Sequence, residues 1–314
     1  NYYNKTVTGG VSLNLDKNNT LGGQLTYQRE NDRYNGESNN VMMQGENVYE
    51  RLNSTLDSHS HYNQWQANMY YEGHIGTKWT INCNGDYLRR KSTDDKSNEE
   101  SGTLTNPHTV LTTNKATYNI AAGLVEAEYQ LNKNATLKVG TNVSYVKDTK
   151  VYSGLDDTAE STASSLTSKE TKMAVFAEGE ANMGKLSANI GTRYEIFKMS
   201  YYDDLNNLQL VDKSYSRFYP YVSMSLPVSD VRFGLSLTTK VQRPSYYQLR
   251  NSQEYFNRYE MEAGNPLLLP QYTTDLTYST QYKSLRFSLS YQWIKDYIMT
   301  SNMIDAENPL HILS

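Results

Sequence analysis

Apolar and polar residues alternate with a period of two over twelve segments of this chain, and the segments fall into pairs joined by a few residues. Such alternation predicts strands with one apolar and one wet face. The first pair covers about Lys5–Leu15 and Leu21–Glu30, with Val7, Val11, Leu13 and Leu15 in one phase. The next pairs are Tyr62–Gly73 with Lys78–Arg90, Lys115–Leu131 with Thr136–Lys147, and Ser168–Asn182 with Leu186–Tyr202. The last two are Ser216–Leu226 with Val231–Val241 and Gln271–Tyr282 with Leu285–Ile298. In the final strand Leu285, Phe287, Leu289, Tyr291 and Trp293 share one face, opposite Arg286, Ser288, Ser290 and Gln292.

Short turns (LDKNNT, LNKNAT, LPVSD) alternate with long polar connections. Three of these read as solvated loops: RENDRYNGESNN, KSTDDKSNEESGTLTNP and the stretch around Ser153–Ser168. Val41–Ser58, the later part of the connection that contains the first, is expected to extend the strand wall beyond its apolar zone. The long–short rhythm on period-2 strands predicts a transmembrane β-barrel. Charges provide a check. Glu72, Asp86, Glu126, Glu128, Lys138, Glu178, Glu180, Arg193, Glu195, Arg232, Asp275 and Arg286 all fall out of phase with the apolar residues. On a lipid face, a midplane Arg or Lys costs about 2–4 kcal/mol; in a wet lumen that cost disappears. The strands are longer than the ~9–11 residues a tilted crossing needs, which points to a wall rising above the bilayer.

Composition sharpens this. Hydrophobic residues are 37% of 314, mean hydropathy is −0.73, and no apolar run is long enough for a membrane helix. The 28 tyrosines suit strands and membrane–water boundaries. A net charge of −4 without a basic run argues against nucleic acid as a partner. The single cysteine, Cys83, excludes an internal disulfide and a Cys-based zinc cluster. Short turns face the periplasm in such barrels, so both ends of the chain are expected outside the cell. The closing residues AENPLHILS carry no aromatic end strand. The expectation is therefore an all-β transmembrane antiparallel barrel domain over 1–314, with about twelve strands belonging to a larger one.

One region goes beyond periodicity. Arg243-Pro244 opens a run ending at Leu249-Arg250-Asn251, and Gly264-Asn265-Pro266-Leu267-Leu268-Leu269-Pro270 precedes the strand from Gln271. This pair of motifs resembles the late barrel of TonB-dependent outer-membrane receptors. The motifs cover about thirty residues and the strand rhythm extends the likeness over nearly the whole chain. The resemblance implies a 22-strand type of barrel, an outer-membrane location in a Gram-negative bacterium, and uptake of a bulky or scarce nutrient. It also implies the TonB complex and a surface lipoprotein as partners, besides outer-membrane lipid and a small-molecule or glycan ligand. The chain departs from the family plan, because no plug and no TonB-engaging segment is recognisable in it. A non-transporting barrel (an adhesin, a surface binding protein or a passive pore) is the alternative.

Between the motifs, Tyr246, Tyr247, Tyr255, Phe256 and Tyr259 mix with Arg243, Arg250 and Arg258. Aromatic faces beside Arg forks suit glycans, flat chelates or proteins, so this segment is the candidate external recognition loop. Arg243, Pro244, Gly264, Asn265, Pro266 and Pro270 are expected to be structural. His59 and His61 share a side of an extended segment but lack further ligands nearby, and the acid pairs Asp94-Asp95, Asp156-Asp157 and Asp203-Asp204 read as solvated loop charge. No cofactor or metal is expected. Neither a G-x-S-x-G, a P-loop nor an H-E-x-x-H motif is present, and no catalytic residue is assigned.

Overall fold

The structure is a computed structural model that describes residues 2–157, 162–245, 248–249, 253–257, 260–265, 267–304 and 312–313. Ten long strands come first: β1 (Tyr2–Asn14), β2 (Asn19–Gln44), β3 (Asn47–Ile75), β4 (Trp79–Gly102), β5 (His108–Asn132), β6 (Ala135–Asp156), β7 (Thr162–Met183), β8 (Leu186–Asp203), β9 (Leu208–Val228) and β10 (Val231–Gln242). Two short strands, β11 (Gln253–Asn257) and β12 (Glu260–Ala263), precede β13 (Gln271–Tyr282) and β14 (Leu285–Lys295), and β15 (Met303–Ile304) and β16 (Ile312–Leu313) end the chain.

A single 12-stranded antiparallel sheet runs β1 to β10 in chain order and then β13 and β14. From β1 to β10, and again from β13 to β14, each strand pairs with its neighbour in sequence, as short connections dictate, whereas β10 pairs with β13 across the long segment that carries β11 and β12. The sheet is open, with β1 and β14 at its edges, and β11, β12, β16 and β15 form a separate four-stranded sheet. Tight reversals are absorbed where a left-handed backbone is available, as at Gly76 (φ 64°) and Gly184 (φ 63°).

Register converts the sequence periodicity into rows running across the sheet. One row reads Trp79–Tyr129–Leu137–Gly179–Ile190–Val222–Leu237–Leu276–Tyr291. Higher on the same face runs Leu25–Ala67–Tyr87–Ala121–Tyr145. Between these rows β4 contributes the nine residues Trp79–Tyr87, the length a tilted crossing needs. The face is apolar yet open: Met69 is 64%, Val175 57% and Ile190 50% exposed. Aromatic pairs border it, Trp79 with Tyr129 at 4.6 Å on the short-turn side and Tyr27 with Trp65 at 4.7 Å on the other. This is a lipid-facing belt between two aromatic girdles. Cys83 is a free thiol, half-buried on this face. Every strand charge that the alternation placed out of phase, from Glu72 to Arg286, lies on the opposite face.

Beyond the belt the structure corrects the expected loops. RENDRYNGESNN belongs to β2, most of KSTDDKSNEESGTLTNP belongs to β4, and the stretch around Ser153–Ser168 is largely β6 and β7. Asp94 and Asp95 therefore sit in a strand, whereas Asp203 and Asp204 stand where β8 meets its turn. The backbone ladder continues unbroken there, from Gln64–Arg90 up to Leu52–Gly102. Both faces of this upper wall meet water, so no side-chain period is imposed. The 18 residues Asn47–Gln64 of β3 rise about 40 Å above the belt at ordinary strand rise and tilt. Val41–Ser58 is part of this raised wall, as its sequence suggests.

Candidate functional site

On the inner face, the segment after β10 folds back against β8 and β9. Glu195 of β8 is 5% exposed and lies at the centre. Its Oε2 accepts from Arg193 Nε at 3.2 Å and Nη2 at 3.1 Å, and Arg193 Nη2 also donates to Asn142 Oδ1 at 2.8 Å. Oε1 pairs with the guanidinium of Arg243. That guanidinium also lies over the Phe197 ring, 4.3 Å from its centroid. A carboxylate held by two guanidiniums keeps its charge compensated away from bulk water.

An apolar cluster sits beside the ion pairs. Phe197, Met199, Tyr201 and Val211 on the inner face of the wall bury Leu249, which is 1% exposed, with Leu268, Leu210 and Tyr215 packed around them. A small turn presents Leu249: Gln248 N donates to Ser245 Oγ at 3.3 Å, and Leu249 N to Ser245 O at 3.1 Å. The second motif returns to it, with Asn265 N donating to Gln248 O at 2.6 Å. Asn265 Oδ1 then accepts from Leu267 N at 2.9 Å, an Asx turn of the kind asparagine favours. Pro270 and Gln271 are buried where β13 begins. Arg217 of β9 stacks on Tyr272, 3.9 Å from its centroid.

The candidate residues thus divide. Arg243, placed in the external recognition loop by sequence, is engaged inside the wall. Pro244, Gly264, Asn265 and Pro270 stand at the two anchored ends. Tyr246, Tyr247, Arg250, Arg258, Tyr259 and Pro266 lie outside the described residues. Tyr255 and Phe256 belong to the backbone of β11. Glu195 and Leu249 were not singled out as site residues, because their partners are distant in sequence. Arg243 and Glu195 are 48 residues apart, and only strand order brings them together.

Higher on the inner wall, Tyr62 Oη donates to Glu30 at 2.9 Å, and Arg90 lies 3.8 Å from the Tyr62 ring centroid. Burial, with help from Glu30, pushes the Tyr62 phenol up. Asp148 is buried beside Ser168, and burial pushes its carboxyl up to about 6 despite Lys150 at 3.9 Å. His59 and His61 have ring centroids 5.7 Å apart, and His59 Nε2 lies 2.7 Å from Asn31 Oδ1. Among the described residues no three His, Cys, Asp or Glu side chains converge as a metal site.

Residues 75–313 match the sequence profile described as the outer membrane protein beta-barrel family. No curated protein matches the chain in sequence. Among solved structures, the FpvAI–pyocin S2 complex is similar at a TM-score of 0.56 and 13% identity, over 93% of this chain and 47% of that one. FpvA of P. aeruginosa bound to heterologous pyoverdines is similar at 0.53 and 14%, over 93% and 46%. The ferripyoverdine receptor of the outer membrane of Pseudomonas aeruginosa gives 0.52 and 14%, with the same coverage. The likeness is one of fold, and the chain spans about half the length of these structures.

Proposed function

The chain belongs to the outer membrane protein beta-barrel family, and on that premise we propose that it is barrel wall of a receptor-transporter resembling TonB-dependent receptors. Its cargo would be a bulky or scarce nutrient: a metal chelate, a cobalamin or a glycan. The observation that carries this reading is the inward-anchored segment from Arg243 to Gln271 on a wall whose twelve strands do not close. Free edges at β1 and β14 have unpaired backbone groups, which hydrocarbon does not tolerate, so the complete wall is wider than this sheet. A lumen that wide, under a wall about 40 Å tall, suits a ligand too large for a diffusion pore. The aromatic and arginine residues between Arg243 and Asn265, held at both ends, are the proposed recognition element.

The test uses the full-length gene product in its own outer membrane. Deletion strains are supplied with labelled ferric chelates, cobalamin or glycans, with and without an uncoupler. Saturable uptake that disappears with the gene and with the proton-motive force supports the reading. Unsaturable, uncoupler-insensitive passage indicates a passive pore, and unchanged uptake of every cargo indicates a non-transporting barrel; either overturns it. Replacing Tyr247 and Arg250 together with Ala is expected to weaken cargo binding at least about ten-fold, roughly the loss of one 1.4 kcal/mol interaction, at an unchanged level of protein.

A further inference from the structure

The outward face carries a second pattern just above the belt. Two neighbouring rows cross the sheet there. The lower reads Val7–Tyr27–Trp65–Arg89–Asn119–Lys147–Lys169–Ser200–Asp212, and the upper begins Lys5–Arg29–Asn63–Lys91 and continues through Thr117, Thr149 and Thr167 to Tyr202. Six cations stand in these rows against a single carboxylate, that of Asp212. Lys198 adjoins the lower row and Lys115 lies above the upper one. All eight basic side chains are exposed.

Two features show that this is more than scattered surface charge. First, Lys5 is directly opposite Arg29, and Lys147 directly opposite Lys169. Like charges at such positions destabilise a sheet. Second, these cations lack the protein carboxylates that several others on the wall have. Lys96 pairs with Asp94, Lys138 with Glu128, Lys150 with Asp148, Arg193 and Arg243 with Glu195, and Lys240 with Asp275 on the inner face, and Arg33 with Asp57 higher on the outward one. None of the eight outward cations makes an ion pair among the described residues. Their level is set by the girdle. Tyr27 Oη reaches up to Asn63 Oδ1 at 3.0 Å, and Tyr87 Oη to Asn119 Oδ1 at 3.4 Å. Rows two residues apart are about 6.6 Å apart along a strand, so the cations occupy about one headgroup thickness beyond the hydrocarbon.

We propose that this band binds the phosphate groups of outer-leaflet lipid, which supply anions at a level where the two rows offer the single carboxylate of Asp212. Basic side chains beside a membrane attract anionic headgroups, and the paired-cation positions Lys5–Arg29 and Lys147–Lys169 each fit one phosphate between two strands.

The experiment uses the full-length protein in detergent, with diphosphoryl lipid A as the probe and its dephosphorylated form and inorganic phosphate as controls. The parent should retain diphosphoryl lipid A in native mass spectrometry and be stabilised by it against heat. Changing Lys5, Arg29, Lys147 and Lys169 together to Gln should weaken that binding at least ten-fold (about 1.4 kcal/mol). Lys96→Gln with Lys240→Gln, on the inner face, should leave it unchanged. Equal binding by the four-site variant, equal binding of dephosphorylated lipid, or equal stabilisation by inorganic phosphate would each overturn the proposal. If the Gln variant does not accumulate, the parent decides by salt. Binding that does not weaken between about 0.05 and about 0.5 M salt overturns it, and binding that does, together with full binding by Lys147→Arg, Lys169→Arg, supports it.

Discussion

The belt and the upper wall are built from the same strands and the same backbone ladder, yet they obey different sequence rules. From Trp79 to Tyr87 in β4 every second residue is apolar or small, and the alternate ones are polar. From Lys91 to Gly102 of that strand no such order exists, but pairing with β3 and β5 continues to within a few residues of its end. Hydrocarbon on one side and water on the other force alternation. Water on both sides removes that demand, and the strand persists through backbone hydrogen bonds and specific polar contacts. At the tip these contacts are buried: Glu50 Oε1 accepts from Leu104 N at 3.0 Å and Thr105 N at 2.7 Å. Asn98 donates to Glu100 at 2.7 Å and accepts from Ser54 at 2.5 Å. Period is thus a property of the medium, not of the strand.

The contrast can be broken at its strongest point on the inner face of the belt. Glu195→Ala leaves Arg193 and Arg243 without their shared carboxylate and should cost about 3–5 kcal/mol, read by urea titration of the full-length protein in vesicles. A loss below about 1 kcal/mol would mean that water in the lumen already satisfies both guanidiniums. The next effect compares the faces directly. Val125→Arg, on the lipid face, should cost about 2–4 kcal/mol, while Leu111→Arg, outward on the same strand but above the belt, should cost almost nothing. Equal costs would remove the distinction between the two regions.

Removing the Glu50 carboxylate sharpens the account of the tip. Glu50→Ala leaves two backbone amides without their acceptor and should cost about 1–3 kcal/mol locally, seen as faster hydrogen exchange at Leu104 and Thr105 with the belt unchanged. The smallest effect concerns Asp148 and has the opposite sign. Its carboxyl is raised from 3.8 to about 6 in the folded protein, so folding binds an extra proton and stability falls as pH rises from about 4 to about 6. The penalty is complete above that window and absent below it. Asp148→Asn should therefore stabilise the protein at pH 8 by about 1–2 kcal/mol and make no difference near pH 3. Stabilisation of equal size at both pH values would assign the effect to packing rather than charge.

Much of the belt was legible without coordinates. Leu285, Phe287, Leu289, Tyr291 and Trp293 mark a lipid face by spacing alone, and Glu126, Glu128, Arg193 and Glu195 mark the wet one. The upper wall was not legible. Asp94 looks like loop charge in sequence, but in the structure its Oδ1 accepts from Ser60 at 2.6 Å and Ser58 at 3.2 Å across two strands. The inner site was half legible. The Arg243-Pro244 and Gly264-Asn265 motifs stood out, whereas Glu195 and Leu249, which hold them, did not.

The sequence by itself determined the fold class, the orientation of each strand's two faces and the membrane medium, because those follow from alternation between neighbouring residues. Only the tertiary structure decided that the charged connections become wall, that Arg243 meets Glu195 and Phe197, and that six cations gather in two adjacent rows just above the belt. Each depends on the register between strands far apart in the chain, and that register follows from turn geometry and cumulative pairing rather than from any local composition.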